Sequence, residues 1–183
     1  GALRPPEAGD DPTPVIQIPT TLAGADISDT GAMAIFMAEE SPTGETVRTY
    51  GHVMPVGMFY DPSLFETSPA GPLRASAMNG FDKPLETLYA RNGDPIIQST
   101  AMHSLRLFRE SLPHMLDDPA AMDRAVAGIV LAQFRRQISI IHAFGHGVSR
   151  HYPVHQGEVH AIVAPHVLRY LFEHVDANRR LLA

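Results

Sequence analysis

The sequence predicts a mainly α-helical protein with a short β-containing N-terminal part. Three observations carry that reading. Residues 1–71 are rich in Pro, Gly and Thr and hold only short apolar runs, whereas apolar residues recur at helical spacing from about Pro72 onward. Two pairs, Asp94-Pro95 and Asp118-Pro119, each place an N-capping acid before a proline at the first helical position. With 183 residues, 44% of them hydrophobic and 19% charged, the chain can bury a core as one domain, or as one domain and part of another.

Taken in order, the first elements are short strands bounded by turns. The runs are Val15-Ile16-Gln17-Ile18, residues 33–37 and residues 57–60. Ser41-Pro42-Thr43-Gly44 suits a hairpin turn joining the second run to Thr46-Val47-Arg48-Thr49-Tyr50. The two Asp-Pro pairs then start two helices. A third helix is predicted from Val126, Ile129, Val130, Phe134, Ile138 and Ile141, whose spacing leads straight into His142. A fourth spans residues 158–172, and Asp176 is placed to cap a further helix near the chain end.

Composition narrows the function. A formal charge of −6 gives no electrostatic footprint for nucleic acid or an anionic membrane, which leaves small-molecule chemistry as the starting point. There are no cysteines, so no disulfide framework, and no apolar run reaches the length that crosses a bilayer. Residue 1 onward shows neither the charged nor the apolar region of a signal peptide, and the expectation is a cytoplasmic setting. Lys83 is the only lysine.

Chemistry-bearing residues concentrate in residues 142–160, which hold His142, His146, His151, His155, His160 and Glu158. His142 and His146 stand four apart, so on a helix they share one face and can meet one ion or one substrate. Imidazole and carboxylate suit zinc and iron alike, although rings on a polar surface or at helix ends give the same pattern.

Several stretches resemble the iron-containing alcohol dehydrogenase superfamily, and most of all its maleylacetate reductase branch. His142-Ala143-Phe144-Gly145-His146, then Gln156-Gly157, then Ala161-Ile162-Val163-Ala164-Pro165-His166-Val167 match, without a gap, the family's His-Ala-x-x-His, His-Gly and Ala-Ile-Leu-Leu-Pro-x-Val. Ile18-Pro19-Thr20-Thr21-Leu22-Ala23-Gly24-Ala25-Asp26 resembles the nucleotide-side motif Ile-Pro-Thr-Thr-x-Ala-Gly-Ser-Glu. Tyr60-Asp61-Pro62 also matches, and the run from Met78 to Ala90 resembles the branch's Met-Asn-Ala-x-Ala-His-x-x-Glu-x-Leu-Tyr-Ala. The family's Gly-Gly-Gly-Ser phosphate loop has no counterpart here.

The resemblance implies the dehydroquinate synthase-like fold, with residues 1–71 as the end of a nucleotide-binding α/β domain and residues 72–183 as the helical domain. It places the family's four metal ligands on Asn79, Lys83, His142 and Gln156, where an iron enzyme has Asp, His, His and His. A one-residue gap would put His155 in place of Gln156 but would break a continuous match. An ammonium repels a divalent ion, so no tightly bound metal is expected. Pro84 clashes with the carbonyl four residues earlier, and Gly80 at that position is the easiest place to absorb a kink.

What the resemblance implies for function is NAD(P)-linked hydride transfer on a small carbonyl or alcohol, with a homodimer compatible and no nucleic acid or membrane partner. Thr20, Thr21 and Gly24 would border the NAD or NADP. Lys83, with Asn79 beside it on the same helix face, would supply the charge that iron supplies in the family, and His142 and His146 would orient the substrate and pass the proton. The alternatives are a non-redox lyase or cyclase, or a catalytically silent subunit on the same scaffold.

Overall fold

The computed structural model describes residues 14, 16–24, 32–36, 47–51, 55–91, 93–133, 137–175 and 179–182. Among the described residues four short strands come first: β1 (Ile16–Gln17), β2 (Ala32–Phe36), β3 (Val47–Gly51) and β4 (Gly57–Met58). Seven helices follow among them: α1 (Pro62–Phe65), α2 (Ala70–Tyr89), α3 (Pro95–Ser111), α4 (Pro119–Ala132), α5 (Ile140–Ser149), α6 (Gln156–His174) and α7 (Arg179–Leu182). The mainly helical architecture expected from the sequence is therefore what the chain adopts.

The chain forms two compact units, one of Gly1–Ile18 with Ala25–Phe59, the other of Pro19–Gly24 with Tyr60–Ala183. In the first, β1 pairs parallel with β4, Ile16 opposite Gly57, and the Phe59 amide extends the ladder to the Gln17 carbonyl at 3.0 Å. Strands β2 and β3 pair antiparallel from Ala32 opposite Gly51 to Phe36 opposite Val47. The expected hairpin turn at residues 41–44 and the capping Asp176 lie outside the described residues.

Helix starts follow the local chemistry. Asp61, Asp94 and Asp118 each precede a proline, and each accepts a hydrogen bond from the backbone N–H two residues on, at 3.0, 2.7 and 2.9 Å respectively. Proline gives up no bond there, because that N–H has no partner inside the helix.

One expectation needs correction. The apolar spacing from Val126 to Ile141 predicted one helix, but α4 ends at Ala132 and α5 begins at Ile140, with residues 137–139 non-helical. The reason is a carboxylate from another helix. Glu86 of α2 accepts the backbone N–H of Ser139 at 2.7 Å, Ile141 at 2.7 Å and His142 at 3.2 Å. These are the orphan donors of a helix start, so Glu86 caps α5 in trans while Ser139 makes no side-chain cap of its own.

The second unit holds two apolar clusters. Leu22, Phe65, Leu73, Phe108, Met115, Met122, Ala125 and Ile129 form one, which draws the short helix α1 and Leu22 into the helical unit. Pro19–Gly24 and Tyr60–Ala183 pack as one unit, in which Leu22 and Phe65 are fully buried. Leu85 and Tyr89 of α2, Ile141 of α5, and Ala164 and Val167 of α6 form the other cluster. Residues 82 to 89 of α2 are all buried, polar ones included, so this half of the helix is enclosed on every side.

Glycines permit the closest approaches. A Cβ at Gly157 would overlap the Ala75 carbonyl, which brings the start of α6 directly onto the α2 backbone. Gly80 plays a similar part, since a Cβ there would strike the Leu22 carbonyl. Helix α2 continues through Pro84, and Gly80 serves the contact with Leu22.

A buried histidine–carboxylate cluster as the candidate active site

Asp82 and Glu86 are four residues apart on α2, so both carboxylates leave one face of the helix. That face meets α5 and α6, each of which contributes a histidine. His142 Nδ1 lies 2.6 Å from Glu86 Oε2, and His160 Nδ1 lies 3.0 Å from Asp82 Oδ2. Asp82, Glu86 and His160 are fully buried and His142 is 3% exposed. The two imidazoles pack edge to face with centroids 4.5 Å apart. A carboxylate taken out of water costs several kcal/mol unless it is paired, and each acid here has its own imidazole.

The two pairs are electrostatically unequal. Burial pushes Glu86 up, but the His142 ring and the N–H groups of Ser139 and His142 outweigh it and hold the carboxyl below the usual range. Glu86 is therefore an ionised acceptor, and His142 carries its proton on Nδ1. Tyr89 adds a fifth donor at 3.0 Å, and burial together with the Glu86 charge raises its phenol well above the ordinary value. For Asp82, burial dominates and raises the carboxyl, with His160 offsetting only part of that. The 3.0 Å approach of Asp82 Oδ2 to His160 Nδ1 falls short of hydrogen-bond alignment.

With Nδ1 committed to Glu86, His142 Nε2 is left buried and without a hydrogen-bond partner in the structure. An orphaned polar atom in an enclosed site is a place where chemistry can act. His146, one turn along α5, is exposed, and its ring centroid is 6.4 Å from that of His142. Partial burial, the His142 ring and Arg150 lower its pKa from the ordinary imidazole value. The structure thus brings His142 and His146 together on one face of α5, and adds His160, which the sequence places in the same histidine-rich stretch without assigning it to the site.

The other expected site residues are placed as follows. Asn79 is half-buried on α2. Lys83 is buried at 4% exposure, and its ammonium donates to the Ala23 carbonyl and, at 3.4 Å, to Gln133 Oε1. Gln156 Nε2 lies 3.3 Å from His160 Nε2. Thr20 and Thr21 are exposed, whereas Gly24 is buried with φ of 68° and packs on Ile129 and Gln133.

This donor set does not fit the family's metal. Of the four ligand positions, Lys83 presents an ammonium held by carbonyl oxygens and Gln156 faces His160. Among the described residues no three His, Asp or Glu side chains are arranged to hold one ion. Sequence signals for the residues that were missed did exist: Asp82 and Glu86 repeat at helical spacing, and Asp82 replaces an alanine of the matched motif.

Comparison with known proteins agrees with this architecture. Residues 74–182 match the family described as Fe-containing alcohol dehydrogenase family, C-terminal. A maleylacetate reductase from Sphingobium indicum is 28% identical over 166 residues, which are 86% of this chain and 45% of that protein. The crystal structure of maleylacetate reductase from Rhizobium sp. strain MTP-10005 superimposes with a TM-score of 0.75 at 26% identity, covering 93% of this chain and 48% of that one. Sulfoacetaldehyde reductase from Bifidobacterium kashiwanohense, solved in complex with NAD+, shares the fold at 19% identity, a TM-score of 0.73 and coverage of 86% and 43%. The chain spans about half the length of the relatives it matches. With that match over more than half its residues, the chain belongs to the Fe-containing alcohol dehydrogenase family.

Proposed function

We propose that this chain is part of an NAD(P)-linked oxidoreductase that acts on a small carbonyl or alcohol substrate, with protein side chains in place of a resident metal. The bound nicotinamide supplies or receives the hydride. In reduction the carbonyl carbon gains a hydride, its C–O π bond breaks, and the oxygen takes a proton. This chain's part is to deliver that proton and to stabilise the charge on oxygen as it develops.

His142 is the residue proposed for that role. The observation that carries the reading is its Glu86-bound Nδ1 and its buried, unpartnered Nε2. A carboxylate behind an imidazole fixes which nitrogen is free and stabilises the cation formed when that nitrogen takes a proton. Protonated, Nε2 donates to the substrate oxygen; neutral, it accepts the proton of an alcohol in the reverse direction. His146, exposed beside it, exchanges protons between His142 and solvent. Asn79 offers a neutral amide to the same substrate, and Thr20, Thr21 and Gly24 border the nucleotide.

The test is turnover of NADH or NADPH by the full-length gene product with maleylacetate and a panel of small aldehydes and ketones. His142→Asn should reduce kcat by at least about 100-fold while leaving nucleotide affinity near that of the wild type. His146→Asn should cost less, and exogenous imidazole should restore part of the loss. A His142→Asn enzyme with near-normal kcat would refute the assignment.

A further inference from the structure

The segment Pro19–Gly24 packs with the helical unit, and the contacts that hold it there are specific. Ser68 Oγ donates to the Thr20 carbonyl at 3.0 Å, and the Leu22 amide donates to Ser76 Oγ at 3.0 Å. Leu22 is fully buried, and its carbonyl lies against Gly80, where no Cβ fits. Gly24 turns at φ of 68° against Ile129 and Gln133, with no room for a Cβ there either. Between these anchors the Ala23 carbonyl accepts from the Lys83 ammonium, which also reaches Gln133 Oε1 on the far side.

We propose that Lys83 is a positioning residue that fastens the Pro19–Gly24 turn to α2 and α4, and through that turn sets the affinity for the nicotinamide nucleotide. The proposal rests on the reading above that Thr20, Thr21 and Gly24 border that nucleotide. An ammonium at 4% exposure must have oxygen acceptors, because burying it without them is expensive. One of its acceptors belongs to the turn itself. Lifting the turn therefore strips a buried cation of an acceptor, and the turn closes with a strength that a neutral side chain does not match.

The experiment uses the full-length gene product. Hydrogen exchange across residues 19–24 should quicken about tenfold or more in Lys83→Met, while exchange in α3 stays at the wild-type rate. NADH and NADPH should bind about tenfold more weakly by calorimetry, with kcat at saturating nucleotide falling by a smaller factor. Lys83→Arg, which keeps charge and donors, should recover part of the affinity. Should Lys83→Met fail to fold, acetic anhydride labelling of the wild type serves instead: Lys83 acetylates slowly, and more slowly still with nucleotide bound. Unchanged exchange at residues 19–24, or labelling as fast as an exposed amine and indifferent to nucleotide, overturns the proposal. So does lost turnover at unchanged nucleotide affinity, which places Lys83 at the reacting carbonyl. A wild type that binds neither nucleotide, with exchange quickened in Lys83→Met, keeps the clamp and removes the nucleotide reading instead.

Discussion

Replacing Glu86 tests the idea that one carboxylate both starts α5 and aims His142. Its two oxygens accept five hydrogen bonds, from the amides of Ser139, Ile141 and His142, from His142 Nδ1 and from the Tyr89 hydroxyl, at 2.6 to 3.2 Å. Glu86→Ala leaves these donors without their acceptor in a site where Glu86 is fully buried. A buried donor stranded in this way costs about 1–3 kcal/mol, and the costs do not add fully because water and side chains move in. The expected loss is about 4–6 kcal/mol, comparable with the whole stability of many domains. Glu86→Gln keeps one acceptor oxygen but turns an amide N–H toward donors, for a loss of about 2–3 kcal/mol. Urea titration followed by circular dichroism measures both. The pH dependence has a definite sign. Glu86 is depressed in the folded state, so its contribution is present above its unfolded value and disappears as pH falls through the folded one. Asp82 works the other way: raised by burial, it takes its proton sooner when folded, and acid relieves its cost. Glu86→Gln should therefore flatten the acid limb of the stability profile. A Glu86→Ala protein within about 1 kcal/mol of the wild type, with α5 amides still protected from exchange, would refute the capping role.

Two glycines of the helices make a matched pair. Gly157→Ala should destabilise by about 2 kcal/mol, because its Cβ meets the Ala75 backbone and α6 must move away from α2. Gly147→Ala, with nothing within 4 Å of the added Cβ, should stabilise by up to about 1 kcal/mol through helix propensity alone; urea midpoints of the two variants moving in the same direction would contradict the close approach. At Gly145 an added Cβ would press on the buried His160 ring, so Gly145→Ala should shift the His160 imidazole resonances in NMR while leaving those of exposed His151 in place.

The sequence showed the helix starts best, because a cap and a proline act over two residues and need nothing from elsewhere. Asp94 and Asp118 do in the structure what their position beside proline says. The break before α5 was hidden because its cause is 53 residues away, in Glu86, while the apolar spacing through Phe134 and Ile138 continues across it. His142 and His146 are visible as a helical pair; His160 stands in the same histidine-rich stretch, but only the packing of α2 against α6 joins it to Asp82. The polar residues in the second half of α2 are buried by assembly of the bundle, which no local pattern shows. The turn at Pro19–Gly24 was assigned with the strands that flank it in sequence, yet Leu22 is buried by α2 and α4.

We propose that this family member does its chemistry with His142, oriented by Glu86, and without a resident metal. The measurement that bears on it most directly is NADH- or NADPH-dependent reduction by the full-length gene product after exhaustive chelation, with elemental analysis of the same sample. Full turnover is expected at a metal content far below one ion per chain, with loss of that turnover in His142→Asn. Turnover that vanishes on chelation and returns with iron or zinc, in proportion to the ion bound, would contradict it.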